Sequence, residues 1–345
     1  MERRIFTKHP MNPIISAADM PEGISYLFNP GAIKHKGEYI LMMDASTIAL
    51  PIVFWIARSK DGVHFTLDPE PVDWPESDAE HLENCVYDPR ITKIGDEYII
   101  MYASSGQYGV RVGVVKTRDF VKFERVGTAS EVGNRNAVLF PEKINGRYVR
   151  LDRPMSDPVR DPANIWISYS DDLIHWGGSR PLLEVRPCYW DEQKIGAGAV
   201  PIKTDKGWLE IYHGVFQTCC CFVYRLGVCL LDLDDPSKVI ARGENAVLWP
   251  EYDYEMKGNV DNVVFTANAI LEDDGMVKVY YGAADSCIGL AEAKLSDLID
   301  ACFATNSHLD KFFKRKRISC SSSIKTSLGN AVKKGQAELK PVTIA

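Results

Sequence analysis

The stretch "GDEYIIMYASS" at residues 95–105, followed by "VRVGVVKTRDFVKF" at 110–123, sets two runs of β-branched and aromatic residues behind a glycine. Runs of this length, bounded by Gly, Asp and Asn, have the pattern of short strands joined by turns. The pair recurs along the chain. "KGEYILMMDAS" (36–46) precedes "VFWIARSKDGVHF" (53–65), and "NGRYVRLDRPM" (145–155) precedes "IWISYSDDLIHW" (165–176). "KGWLEIYHGV" (206–215) precedes "YRLGVCLLDLDDPSKV" (224–239), and "DGMVKVYYGAAD" (274–285) precedes "CIGLAEAKLSDLI" (287–299). The leading glycines, Gly37, Gly95, Gly146, Gly207 and Gly275, are 58, 51, 61 and 68 residues apart. A period of this size, holding three or four short strands, is that of a propeller blade. Five units predict an all-β chain folded as a five-bladed β-propeller. A β-sandwich competes, but it does not require the same strand pair five times.

The 345 residues are 46% apolar and 25% charged, ordinary for a globular chain with a large core. No apolar run approaches the roughly 18 residues of a membrane span, and "MERRIFTKHPMNPIIS" lacks the apolar centre of a signal peptide. These features lead to the expectation of a soluble, cytoplasmic protein with no membrane and no nucleic-acid partner. The nine cysteines form no paired CxxC spacing, which fits reduced thiols and no metal site. The net charge of −7 is uneven, because residues 310–345 hold nine Lys/Arg against two Asp/Glu. Residues 1–309 are expected to form the propeller, at a net charge of −14, and 310–345 a basic C-terminal extension outside it.

In so acidic a body, cations gathered in one pocket need a reason. Polar residues at the ends of the inner strands of a propeller converge on the shared axis. Asp44, Arg153, His213 and Asp285 end the strand that follows the glycine in four of the repeats. "YDPRI" adds Asp88 and Arg90, two residues apart and on one side of an extended chain, with Pro89 stiffening the backbone between them. "GNRNAVLFPEKINGRYVRLDRP" adds Arg135, Lys143 and Arg150, and "WDEQKIGAGAV" adds Lys194. One strong acid beside several cations from separate repeats describes an anion pocket next to a proton donor. Salt bridges sealing the propeller centre are the structural alternative, with Arg90 the natural partner of Asp88 or of a neighbouring carbonyl.

From "FNPGAIKHKGEYI" to "YYGAADSCIGLAEAKLSDLI" the chain resembles glycoside hydrolase family 130, the mannoside phosphorylases, most specifically in "NAVLFPEKINGRYVRLDRP", "KIGAGAVPIKTDKGW" and "LLDLDDPSKVI". The resemblance implies a five-bladed β-propeller and inverting phosphorolysis of terminal β-mannosides to α-mannose 1-phosphate. Such an enzyme needs one carboxylic acid for the leaving oxygen, whereas an inverting hydrolase needs a second carboxylate to activate water. Asp88 matches the family's catalytic acid, acting through the 3-hydroxyl of the bound mannose. Arg135, Arg153 and Lys194, with His213 beside them, match the phosphate-binding set. Asn29 and Asp285 match positions that hold the mannose, and Arg90, Asp44 and Tyr224 complete the expected substrate-binding set. Asp44 is a departure, standing where many family phosphorylases have an arginine.

The expected substrates are short β-1,4-mannooligosaccharides or mannosyl-N-acetylglucosamine, with β-1,2-mannobiose or oligomannan as the alternative. A β-mannosidase using water and a non-catalytic glycan-binding propeller are the competing functions. No metal or organic cofactor is expected, inorganic phosphate being the co-substrate. Association into a homo-oligomer is left open by the resemblance.

Overall fold

All five leading glycines turn the chain between two antiparallel strands, with φ of 82° at Gly37, 60° at Gly95, 81° at Gly146, 145° at Gly207 and 82° at Gly275. In the computed structural model, which describes residues 4–47, 52–77, 82–155 and 163–305, these hairpins belong to five antiparallel sheets arranged as a five-bladed β-propeller. The expected extension at 310–345 lies outside the described residues.

The strand before each glycine, not the one after it, lines the axis. The inner strands are Tyr26–His35, Cys85–Ile94, Asn134–Leu139, Lys194–Ala197 and Val264–Leu271, for blades 1 to 5 in order. Each pairs with the strand that follows its glycine, and strands then run outward in chain order. The sequence pattern placed the axis one strand later, because the inner strands are irregular and the second strands are not. In blade 5 the outermost strand is Thr7–Lys8 from the chain's beginning, paired with Glu292 and Ala291. The ring is thus closed by strand pairing between early and late residues.

A second repeated device lies between the third and fourth strands of blades 1 to 3. Ser59, Thr117 and Ser170 each precede an aspartate by two positions, and Asp61, Asp119 and Asp172 accept backbone N–H groups two and three residues on. The residue after each aspartate is left-handed: Gly62 at 75°, Phe120 at 58° and Leu173 at 74°. Side-chain acceptors of this kind satisfy the turn's own donors and fix its shape.

Apolar residues on alternating faces fill the seam between each pair of neighbouring blades. The inner strands are also tied by polar side chains. Asn268 of blade 5 accepts from Ile91 N–H at 3.0 Å and donates to Ile91 C=O at 2.9 Å. Thr92 donates to Leu139 C=O of blade 3 at 3.1 Å. Gly31 leaves room for this closeness, since a Cβ there would lie 2.5 Å from Pro89 O.

Asn268→Ala strips both backbone groups of Ile91 of their partner inside the ring. Each buried group left unsatisfied costs about 1–3 kcal/mol, so the midpoint of chemical denaturation should fall by more than for alanine at an exposed asparagine. An unchanged midpoint would show that this tie does not hold blade 2 to blade 5.

Candidate active site

Three inner strands share one irregularity. Their pairing with the second strand shifts between Phe28 and Gly31, between Tyr87 and Arg90, and between Arg135 and Val138. Within each shift lies a left-handed residue: Asn29 (φ 45°), Asp88 (58°) and Asn136 (55°). Asn and Asp adopt this conformation more readily than other side-chain-bearing residues, and a bulge re-aims the side chain it carries. The re-aimed groups meet. Asn29 Nδ2 donates to Asp88 Oδ1 at 2.7 Å, and Asn136 Nδ2 donates to Oδ2 at 3.4 Å. Asp88, 5% exposed, is held between amides from the blades on either side. The expectation of an extended chain at Asp88 is therefore corrected: its orientation comes from the bulge.

Asp44 and Arg90, both expected in the substrate-binding set, hold the backbone of Asp88. Both Asp44 oxygens accept the Asp88 backbone N–H, at 3.2 and 3.0 Å, and the side chain is fully buried. Burial, then the negative charge of Asp88, raises the Asp44 carboxyl well above the usual carboxylate range. Arg90 directs its guanidinium at backbone carbonyls: Gly198 O at 3.2 Å, Ala197 O at 3.2 Å and Asp88 O at 3.0 Å. At 1% exposure it braces blade 2 against blade 4 and holds the peptide of Asp88, with no carboxylate partner among the described residues.

Beside the carboxylate is a group of cations. Arg135 and Arg153 sit directly opposite each other on the inner and second strands of blade 3. Like charges facing across a strand pair are destabilising unless an anion lies between them. Lys194, on the inner strand of blade 4, lies 4.9 Å from the Tyr224 ring centroid and 5.5 Å from that of Phe222. Among the described residues none of the three cations forms an ion pair with a carboxylate. Burial, then Arg153 and Arg135, lowers Lys194 to about 8, and burial, then Arg135, lowers Arg153 to about 10.

His213 joins them, with Arg153 NH1 3.1 Å from its Nε2. Burial, then Arg153, drives the imidazole well below its ordinary value, so the ring is neutral. Since arginine only donates, Nε2 accepts and the ring hydrogen belongs on Nδ1. Nδ1 of His213 and Nε of Arg153 are both buried without a described partner, which leaves a surplus of donors to match the surplus of charge. Gly196 makes this close approach possible, because a Cβ there would stand 2.4 Å from His213 Cε1 and 2.9 Å from Arg153 NH1.

Asp285, left-handed at 47°, follows the second strand of blade 5. Burial, and after it the charge of Asp88, pushes it up to about 7. Asp88 and Asp285 both bear electrostatically on Tyr224, as do Arg153 and Arg135, so the four join it around one centre. Two cations from the same sequence segment fall elsewhere: Lys143 covers the Tyr148 ring, and Arg150 pairs with Asp152 on the opposite face of blade 3. Asn136 was missed by the sequence pattern. Aligning "FNPGA", "YDPRI" and "RNAVL" one strand before the glycines puts Asn29, Asp88 and Asn136 in a single column.

A family model described as beta-1,4-mannooligosaccharide phosphorylase matches residues 2–303. A 1,2-beta-oligomannan phosphorylase of Thermoanaerobacter sp. is 39% identical over 284 residues, covering 79% of this chain and 91% of the relative. A beta-1,4-mannooligosaccharide phosphorylase of Ruminococcus albus is 34% identical over 305 residues, covering 86% and 90%. Among solved structures, a beta-1,2-mannobiose phosphorylase from Listeria innocua in complex with beta-1,2-mannobiose superposes with a TM-score of 0.79 at 31% identity, covering 86% of this chain and 99% of that one.

Lys194 sets a testable pH limit on the cation group. Its lowered pKa means that the free protein carries this charge below about pH 8 and loses it above. Phosphate affinity, titrated calorimetrically, should weaken as the pH rises through about 8, and Lys194→Arg should remove that break. A flat profile from pH 7 to 9 in the unaltered protein would separate Lys194 from the anion.

Proposed function

The chain belongs to glycoside hydrolase family 130 and is a mannoside phosphorylase, and from that premise we propose that its axial site cleaves a terminal β-mannoside with phosphate as nucleophile, inverting C1 to give α-mannose 1-phosphate. The observation that carries the assignment to this site is the cation group beside Asp88. Arg135, Arg153 and Lys194 lack carboxylate partners among the described residues, and His213 and Arg153 each keep an unmet donor. A phosphate dianion supplies both the charge and the acceptor oxygens.

In this mechanism the mannose occupies the space between Asn29, Asp88 and Asp285. Protonated Asp88 gives its proton to the 3-hydroxyl, and that hydroxyl passes its own proton to the glycosidic oxygen. The C1–O bond breaks as phosphate, gripped by Arg135, Arg153 and Lys194, attacks C1 from the opposite face. The Asn29 and Asn136 amides fix both carboxyl oxygens, so that the hydrogen-bonding direction left to Asp88 is aimed at the sugar. Asp44 and Arg90 hold the peptide that presents it. Proton donation and phosphate attack use these groups without a metal or organic cofactor, and the reaction suits a cytoplasmic protein acting on imported oligosaccharides.

For the linkage we favour a β-1,2-mannoside, with β-1,4 second. The 39% identical relative and the superposed 31% identical structure are both named for β-1,2 substrates, and the named β-1,4 relative is 34% identical. Water as nucleophile is disfavoured by the retained cations.

Incubation with β-1,2- and β-1,4-mannobiose, with and without phosphate, tests both levels. Mannose 1-phosphate should form only with phosphate, and faster from the β-1,2 disaccharide. Asp88→Asn should lower kcat by about 10²–10⁴, the range of a lost general acid. Free mannose produced regardless of phosphate would overturn the phosphate assignment, and faster turnover of the β-1,4 disaccharide would overturn the linkage.

A further inference from the structure

Blade 3 is built differently on its two faces. Residues along a strand alternate between faces. Val149, Leu151, Ile165 and Ile167 turn toward blade 4 and pack in the apolar cluster of that seam. Arg150, Asp152 and Trp166 turn the other way, toward blade 2. The apolar cluster of that seam is the smallest of the five described, and among the described residues a cleft of about 890 Å³ is left, which is within the range of small-molecule sites. Its lining includes neither Arg135 nor Arg153. Arg153 reaches blade 4 through Ile195 O and His213, while its chain neighbour Asp152 lines the cleft.

The cleft is polar at its back and aromatic at its sides. Asp152 is 1% exposed, Arg150 3% and Asn134 8%. Their hydrogen bonds crowd one oxygen: Arg150 Nε donates to Asp152 Oδ2 at 2.9 Å, Asn134 Nδ2 at 3.1 Å and Ser168 Oγ at 3.4 Å. Oδ1 of Asp152 and Oδ1 of Asn134 are left as buried acceptors without a described partner. Arg150 lies 4.2 Å over the Trp176 ring, and Trp166 and Ser179 add a second indole and a hydroxyl to the lining. Arg111 and Arg150 are matched in charge by Glu131 and Asp152, so the wall favours neither anion nor cation. Balanced charge, the Ser179 hydroxyl and flat indole surfaces suit a neutral, hydroxyl-rich ligand with apolar C–H faces.

We propose that the cleft between blades 2 and 3 is a second saccharide-binding site, taking a neutral oligosaccharide chain. That its sugar is β-linked mannose rests on the functional reading above; its uncharged, hydroxyl-rich character does not. The two sites share the strands Asn134–Leu139 and Tyr148–Pro154, one on each face.

Calorimetric titration with β-1,2- and β-1,4-mannotetraose, in the absence of phosphate, tests the proposal. The unaltered protein should bind two saccharides per chain. Trp166→Ala should weaken the second event at least about tenfold, as truncation of a central aromatic does, while Trp166→Phe retains it. Turnover of mannobiose by both variants should stay within about twofold of the parent, which also shows that they fold. One saccharide per chain in the parent, or two of undiminished affinity in Trp166→Ala, would overturn the proposal and leave a solvent-filled cleft. If no sugar yields mannose 1-phosphate, the functional reading fails while the stoichiometry still decides the cleft.

Discussion

The strand Cys85–Ile94 is fastened to every other blade, and the candidate site depends on that. Asn29 reaches it from blade 1 and Asn136 from blade 3, Arg90 runs from it to the carbonyls of blade 4, and Asn268 clasps its backbone from blade 5. All four of these ties meet within three residues of Asp88. The carboxylate is thus located by the ring as a whole, which is what the proposed proton donation through a sugar hydroxyl would require. Asp44, carrying the unfavourable proximity of a second carboxyl, accepts the N–H that the left-handed bulge presents.

The cation group illustrates the same dependence from the opposite side. Arg135 and Arg153 oppose each other, Lys194 is nearby, and all three repel. Removing such charges from water is expensive, and they are held beside the packed seam between blades 3 and 4, with Arg153 bonded to Ile195 O and His213 and Lys194 set over the Tyr224 and Phe222 rings. On the proposed reading a bound phosphate would relieve that repulsion, linking occupancy of the site to stability of the seam.

The five glycines were legible because each is a local solution to a local problem, a left-handed turn between two strands. Asp88, Arg135, Arg153, Lys194, His213 and Asp285 were legible as charged or hydrogen-bonding residues beside the repeated strands, whereas Asn29 and Tyr224 came only with the family resemblance; the structure gathers all eight. What was not legible was which strand lies innermost. "FNPGAIKH" and "YDPRITK" are interrupted by bulges, so their alternation is weaker than that of the second strands. The irregularity that hid the inner strands is the one that turns Asn29, Asp88 and Asn136 toward each other. Arg90 was legible as the partner of a neighbouring carbonyl, whereas the bond from the Asp88 N–H to Asp44 was not, because burial behind the site is a property of the ring and leaves no mark in a short motif.

Thr7–Lys8 as the outer strand of the last blade also fixes an order of events during synthesis. The partner residues Ala291 and Glu292 emerge from the ribosome only after four blades have been made. Until then the first residues have no sheet to join, and blade 5 supplies neither Asn268 to Ile91 nor Asp285 to the axis. The nascent chain therefore carries its cations and its acid before Asp285 and Asn268 exist, and the axial site is completed only with the closing of the circle.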